Sequence, residues 1–162
     1  MSDSLGVYLK DHYAGSTFGA DLASRLRDEN EGTRFADFLT GLAAGIEEDR
    51  ETLKSIMERL DVSTDPIKEV MGWATEKASR LKMHGRSELS RILELESLLG
   101  GVEGKLGLWR ALLIAAPSEP DLDAAQLEEL KARAEGQIDG LRQHHTLAAQ
   151  EVFAPDAVER GA

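Results

Sequence analysis

Residues 33–60 read TRFADFLTGLAAGIEEDRETLKSIMERL, and this stretch decides the fold. Phe35, Leu39, Leu42, Ile46, Leu53, Ile56 and Leu60 follow one another in steps of four and three, with Asp49 filling the remaining slot. That alternation keeps one face of an α-helix apolar, as a heptad seam does. Thr33 stands just before the series as the predicted N-cap, because its hydroxyl can accept from the first free backbone N–H groups. The spacing predicts a helix over about 34–60.

The same seam appears upstream. Leu5, Leu9, His12, Ser16, Gly19, Ala23 and Leu26 repeat the four-and-three step, which predicts a helix over about 4–29. Asn30 and Gly32 are expected to end it, since both tolerate a left-handed backbone. So short a link makes the two helices an antiparallel pair.

Downstream, Asp65 and Pro66 open a connecting helix expected over about 66–82. Ser87 is the predicted cap of a helix over about 88–116 whose seam is Ile92, Leu95, Leu99, Val102, Leu106, Trp109 and Leu113. Residues 117–120 make a turn. Asp121 or Asp123 then opens a last helix over about 122–153, with Leu127, Leu130, Ala134, Ile138 and Leu141 on its apolar face. No alternation of β-branched residues marks a strand. The expected architecture is a single all-α domain over residues 1–162, a four-helix bundle with a short extra helix between its second and third long helices.

Composition narrows the function classes. The chain has no cysteine, so disulfides, thiolate nucleophiles and Cys-ligated metals are excluded. The net charge of −11 opposes long-range attraction to phosphate backbones and anionic lipid, and neither nucleic acid nor membrane is expected as a partner. Lys77, Arg80, Lys82, His84, Arg86 and Arg91 form the one basic cluster, read as cations at a helix end and solvated turn. No basic segment precedes an apolar run at the N-terminus, and the longest apolar run, 111–116, is too short to span a bilayer. A cytoplasmic location is the expectation.

Two features depart from a plain bundle. Each long helix carries a Gly-x-x-x-Gly pair: Gly15 and Gly19, Gly41 and Gly45, Gly100 and Gly104, Gly136 and Gly140. A glycine inside a helix costs about 1 kcal/mol relative to alanine, so something should offset it. Close helix packing is the expected reason; a mid-bundle cavity or ligand approach is the other. At Gly100-Gly101 the alternative reading is a kink in the third helix, a usual consequence of adjacent glycines.

The second feature is polarity within the seams. His12 and Asp49 lie at heights that would let them meet, either as a register-fixing pair or as metal ligands. Glu96, Glu103, Glu135 and His145 are the further candidates, with His144 beside them. If the chain runs up, down, up, down, Glu96 and His145 reach the level of His12 and Asp49. If the connection over 61–86 crosses the bundle, Glu103 and Glu135 do so instead. Crossing is the expectation. A divalent transition metal, whether iron, manganese, nickel or zinc, is the cofactor such a mixed site would take.

Two long helical hairpins with a long connection resemble the ferritin-like superfamily across nearly the whole chain. The resemblance implies a metal site built from single carboxylates and two Glu-x-x-His motifs. No Glu-x-x-His occurs here: Glu47 is followed three residues on by Arg50, and Glu135 by Ile138. Nucleophile-elbow, P-loop and dinucleotide signatures are also missing. The leading expectation is therefore a non-catalytic bundle with a structural or protein-interaction role, self-associating through Phe18, Leu22, Phe38, Leu98 and Leu112 unless these only widen the internal stripe. The alternatives are a metal-binding bundle and a small-ligand bundle organised at the glycine layer.

Overall fold

A computed structural model describes residues 3–65 and 88–155 of the protein. It contains α1 (Asp3–Glu29), α2 (Ala36–Arg59), α3 (Glu88–Ala115), a 3₁₀ turn (Ala116–Ser118) and α4 (Ala124–Phe153). Among the described residues there is no strand. The expected connecting helix over about 66–82, the Ser87 cap and all of the basic cluster except Arg91 lie outside the described residues.

Ion pairs and hydrogen bonds at the two ends fix the directions of the helices. At one end, Arg91 near the start of α3 donates to Asn30 Oδ1 after α1 at 2.6 Å and to Glu151 near the end of α4 at 2.9 Å. Arg34, just before α2, reaches the same Glu151 carboxylate at 2.9 Å. At the other end, Arg59 closes α2 beside the start of α4, donating to Gln126 Oε1 at 2.9 Å. The end of α2 and the start of α3 thus lie at opposite ends of the bundle. Taking α1 as up, the order is up, down, down, up, the crossing arrangement expected from the sequence. No helix among the described residues is long and apolar enough to cross a membrane.

The core is aliphatic. Leu9, Leu26, Leu39, Ile56, Leu95 and Leu112 are fully enclosed, and each such side chain removed from water contributes about 1.5–3 kcal/mol. Leu22, Leu98 and Leu112, candidates for an outer face, are buried in this core, and Phe18 and Phe38 pack against it. They widen the internal stripe. Among the described residues, the large apolar side chains left exposed are Val7, Leu89, Ile114 and Phe153.

Helix termini follow the sequence in part. Asp123, one of the two expected caps, accepts at Oδ1 from the backbone N–H groups of Ala125 and Gln126. Thr33 is not the N-cap of α2, where Phe35 stands without a side-chain bond, but its Oγ1 does accept from Phe35 N–H at 3.2 Å, two residues on. Turns closed by Thr33 N–H on Asn30 O and by Ala36 N–H on Thr33 O already satisfy that backbone, so the helix starts later. Gly32 is left-handed, with φ 74°. Asn30 is not. It is buried, and its Nδ2 donates to Leu26 O at 2.7 Å while its Oδ1 receives Arg91.

Candidate ligand cavity

The polar interior begins at Asp49, which α2 holds 1% exposed. A carboxylate so enclosed requires donors on both oxygens. Lys105 of α3 donates to Oδ2, Arg133 of α4 donates to Oδ1 at 2.9 Å, and Gln137 of α4 reaches Oδ2 at 3.4 Å. Lys105 also donates to Gln137 Oε1, and Arg133 carries Glu48 on its other nitrogen at 2.8 Å. One carboxylate therefore ties together α2, α3 and α4. Burial pushes the Lys105 ammonium below its usual pKa, and the adjacent Asp49 carboxylate opposes that shift.

The six candidates from the sequence are separated rather than gathered. His12 forms no bond with Asp49; its ring meets Tyr8 edge-on at 4.5 Å between centroids. Burial lowers its pKa, which favours the neutral imidazole, with Asp11 acting weakly the other way. Glu96 and His145 pair with each other at 2.9 Å, away from Asp49, as the crossing arrangement requires. Glu103 and Glu135 do not join Asp49: Glu103 takes Arg142 at 2.8 Å and Glu135 takes Arg110 at 3.1 Å, both as surface pairs. The physical reason is rotational. They reach the right height but sit on the flank of the seam, where solvent and arginines are closer than the core. His144 stacks on Phe38 at 3.8 Å. Among the described residues, no three His, Asp or Glu side chains are grouped to hold a metal.

Asp49 and His12 share a different feature. Both line a cavity of about 520 Å³ bounded by α1, α2 and α3. Its apolar wall includes Phe18, Leu22, Ile46, Leu53, Leu108 and Trp109, and its polar residues include His12, Asp49, Arg50 and Lys105. The size lies within the range of small-molecule sites, ~300–1,000 Å³, and a mainly apolar lining with a few polar groups is their usual chemistry.

Glycine makes this space. Arg25 on α1 pairs with Glu94 on α3 at 2.7 Å, which sets the register of these antiparallel helices. Ten residues back from Arg25 is Gly15, and ten forward from Glu94 is Gly104. Six residues in each direction give Gly19 and Gly100. The two Gly-x-x-x-Gly pairs thus stand at matching heights, and all four glycines line the cavity, with Gly101 beside them. A Cβ built at any of them meets no atom within 4 Å. Close contact, expected at every pair, is found at one glycine of the α2 pair and one of the α4 pair, each against a side chain of the other helix; Gly41 and Gly136 also meet no atom within 4 Å. A Cβ on Gly45 would come 2.9 Å from Gln137 Nε2, and one on Gly140 2.5 Å from Phe38 Cε2.

Two residues that line the cavity, Arg50 and Trp109, each keep a buried donor without a partner. Arg50 Nε and Trp109 Nε1 are buried without a hydrogen bond, although Arg50 Nη2 is engaged by Glu47 at 2.7 Å. Each unmet donor costs about 1–3 kcal/mol. In the sequence, Arg50 stood out only as the residue where a histidine was missing, and Trp109 only as an apolar seam residue. Neither signal pointed to an unmet donor.

Compared with protein-family models, curated proteins and solved structures, the chain matches none.

Proposed function

We propose that the protein is a small-molecule-binding bundle whose site is the cavity between α1, α2 and α3. The observation that carries this reading is the coincidence of that 520 Å³ space with two buried, unpartnered donors, Arg50 Nε and Trp109 Nε1. A ligand with an apolar body would cover the apolar wall, and an acceptor oxygen on it would be met by the partly exposed side chains of Arg50 or His12. The chemistry is binding rather than turnover. Asp49 and Lys105 are committed to each other, and His12 has no hydrogen-bonded carboxylate or nucleophile to form a catalytic pair.

The donor set favours this reading over a metal-bound one, because both Asp49 oxygens already accept from cations. The up, down, down, up order of the helices supports placing the chain beside ferritin-like bundles by layout, without their dimetal chemistry.

The test is calorimetric titration of the full chain with naphthalene-2-carboxylate and, separately, decanoate. Saturable one-to-one binding of either, lost in Gly19→Leu, is expected. Leucine favours the helix and enters open space, so that variant should stay folded. If neither probe binds, or Gly19→Leu binds as the parent does, the cavity is not the site.

A further inference from the structure

The polar groups that border the cavity narrow the ligand class, an inference that rests on the small-molecule reading above. The charges there are not equally available to a ligand. Asp49 is enclosed, and both its oxygens already accept from cations, Lys105 on one and Arg133 on the other. Lys105 Nζ is divided between Asp49 and Gln137. Ser16 and Ser97 give their hydroxyl protons to carbonyls of their own helices, Tyr13 O at 2.7 Å and Leu93 O at 2.9 Å. Asp11 lies in water at the α1 side of the cavity, where solvent and salt screen its charge.

Arg50 and His12 are left. Only 23% of the Arg50 side chain is exposed, and its ion pairs with Glu47 and Glu51 both run through Nη2. Among the described residues nothing bonds to its Nη1. A partly enclosed guanidinium with a free nitrogen favours an anion, because the attraction grows as water is excluded. His12 lines the same cavity from α1, and among the described residues it meets the Tyr8 ring rather than a hydrogen-bond partner. Burial holds it toward the neutral imidazole. An anion brought beside it favours the imidazolium, which donates from both nitrogens. The other titratable groups against His12 or along the cavity are Tyr8 and Asp11 on α1, Asp49 on α2 and Lys105 on α3, the last two paired with each other.

From the half-enclosed Arg50 guanidinium, the unbonded His12 and the apolar lining around them, we infer that the ligand is an apolar acid with one carboxylate head, and that its binding draws a proton onto His12. The carboxylate meets Arg50 from α2 and His12 from α1, while the tail lies against Leu22, Ile46, Leu53 and Leu108. In the empty cavity an imidazolium would be a charge in a largely apolar space, which is costly. The carboxylate supplies the counter-charge, so His12 becomes charged only when the cavity is filled. The proton comes from the buffer and can therefore be counted. Affinity rises as pH falls from neutral, until the ligand's own carboxylate is protonated.

Three head groups on one straight-chain tail test this in calorimetric titrations of the full chain: decanoate, decanol and decylammonium. Decanoate should bind at least ten-fold more tightly than either comparator. Arg50→Gln should bring decanoate down to the affinity of decanol, and Arg50→Lys, which keeps the charge without the fork, should retain part of the difference. At about pH 6, titrations of decanoate in buffers of different ionisation enthalpy count the protons taken up, expected between zero and one per ligand. His12→Gln should abolish that uptake. Melting temperatures check that each variant remains folded. Equal or tighter binding of decanol or decylammonium overturns the carboxylate head while leaving the cavity reading standing. Undiminished decanoate binding in Arg50→Gln also overturns it, since the head would then lie elsewhere. No proton uptake by the parent, or uptake that persists in His12→Gln, overturns the role of His12. Binding of none of the three overturns the whole inference, and silence from naphthalene-2-carboxylate as well overturns the cavity reading.

Discussion

Lys105 on α3 reaches the buried carboxylate of Asp49 on α2, and this ion pair is one of those that tie the two helical hairpins together. Removing one partner leaves the other enclosed without its counter-charge. Asp49→Ala strands Lys105 and also frees Arg133, and should cost about 3–5 kcal/mol in urea unfolding. Lys105→Met should cost clearly less, because Arg133 and Gln137 still donate to Asp49. Equal losses would show that the pair, rather than the wider network, holds the carboxylate.

Glycines with the same sequence signature should respond oppositely to alanine. At Gly140 the new methyl runs into the Phe38 ring, and the overpacking should destabilise by about 1–3 kcal/mol despite the helical preference for alanine. At Gly104 the methyl meets open space, so the mutation should stabilise by about 0.5–1 kcal/mol. Denaturant midpoints for the two variants settle the difference. Destabilisation at both sites would mean that a methyl at Gly104 meets a neighbour and not open space.

His12 makes stability depend on pH. Its folded pKa is lowered by burial, so the unfolded chain takes up the proton first as pH falls. The contribution is present above the unfolded value of about 6.5 and is lost as pH drops from there toward the folded pKa. Melting temperatures of the parent and of His12→Gln, followed from pH 8 to pH 5, should diverge below about 6.5, with the parent losing more. Curves that stay parallel would place His12 in water.

Asn30 provides a test of two readings of the α1 terminus. If its role were to adopt a left-handed backbone, Asn30→Gly would be tolerated. The buried side chain instead bonds Leu26 O and Arg91 Nε, so Gly and Ala should be equally harmful, by about 1–3 kcal/mol. Thermal unfolding of both variants decides it.

Much of the fold was legible because helix formation is periodic and local. The step of four and three through Phe35, Leu39, Leu42 and Ile46 fixes which face of α2 is apolar before any partner is known. The Asp123 cap was visible for the same reason, since it acts on backbone two and three residues away. Thr33 was misread because its alternative, a turn that binds back to Asn30, draws on the same hydroxyl with nearly the same local sequence. The polar seam positions His12 and Asp49 were also legible as exceptions, and both do lie at the candidate site.

What the sequence left open was decided by rotation and register between helices. Glu103 and Glu135 have the right height and the wrong azimuth, and only packing sets azimuth finely enough to separate core from flank. Lys105 and Arg133 became partners of Asp49 because long side chains can reach into the core from positions that read as surface. The glycine pairs look alike along the chain, yet Gly45 and Gly140 face a side chain of the opposite helix while Gly15, Gly19, Gly100 and Gly104 face open space. A missing Cβ permits either outcome. The chain by itself determined four amphipathic helices and their polar exceptions; the tertiary structure decided which exceptions meet and where the bundle stays open, because those depend on distances between residues that no local pattern constrains.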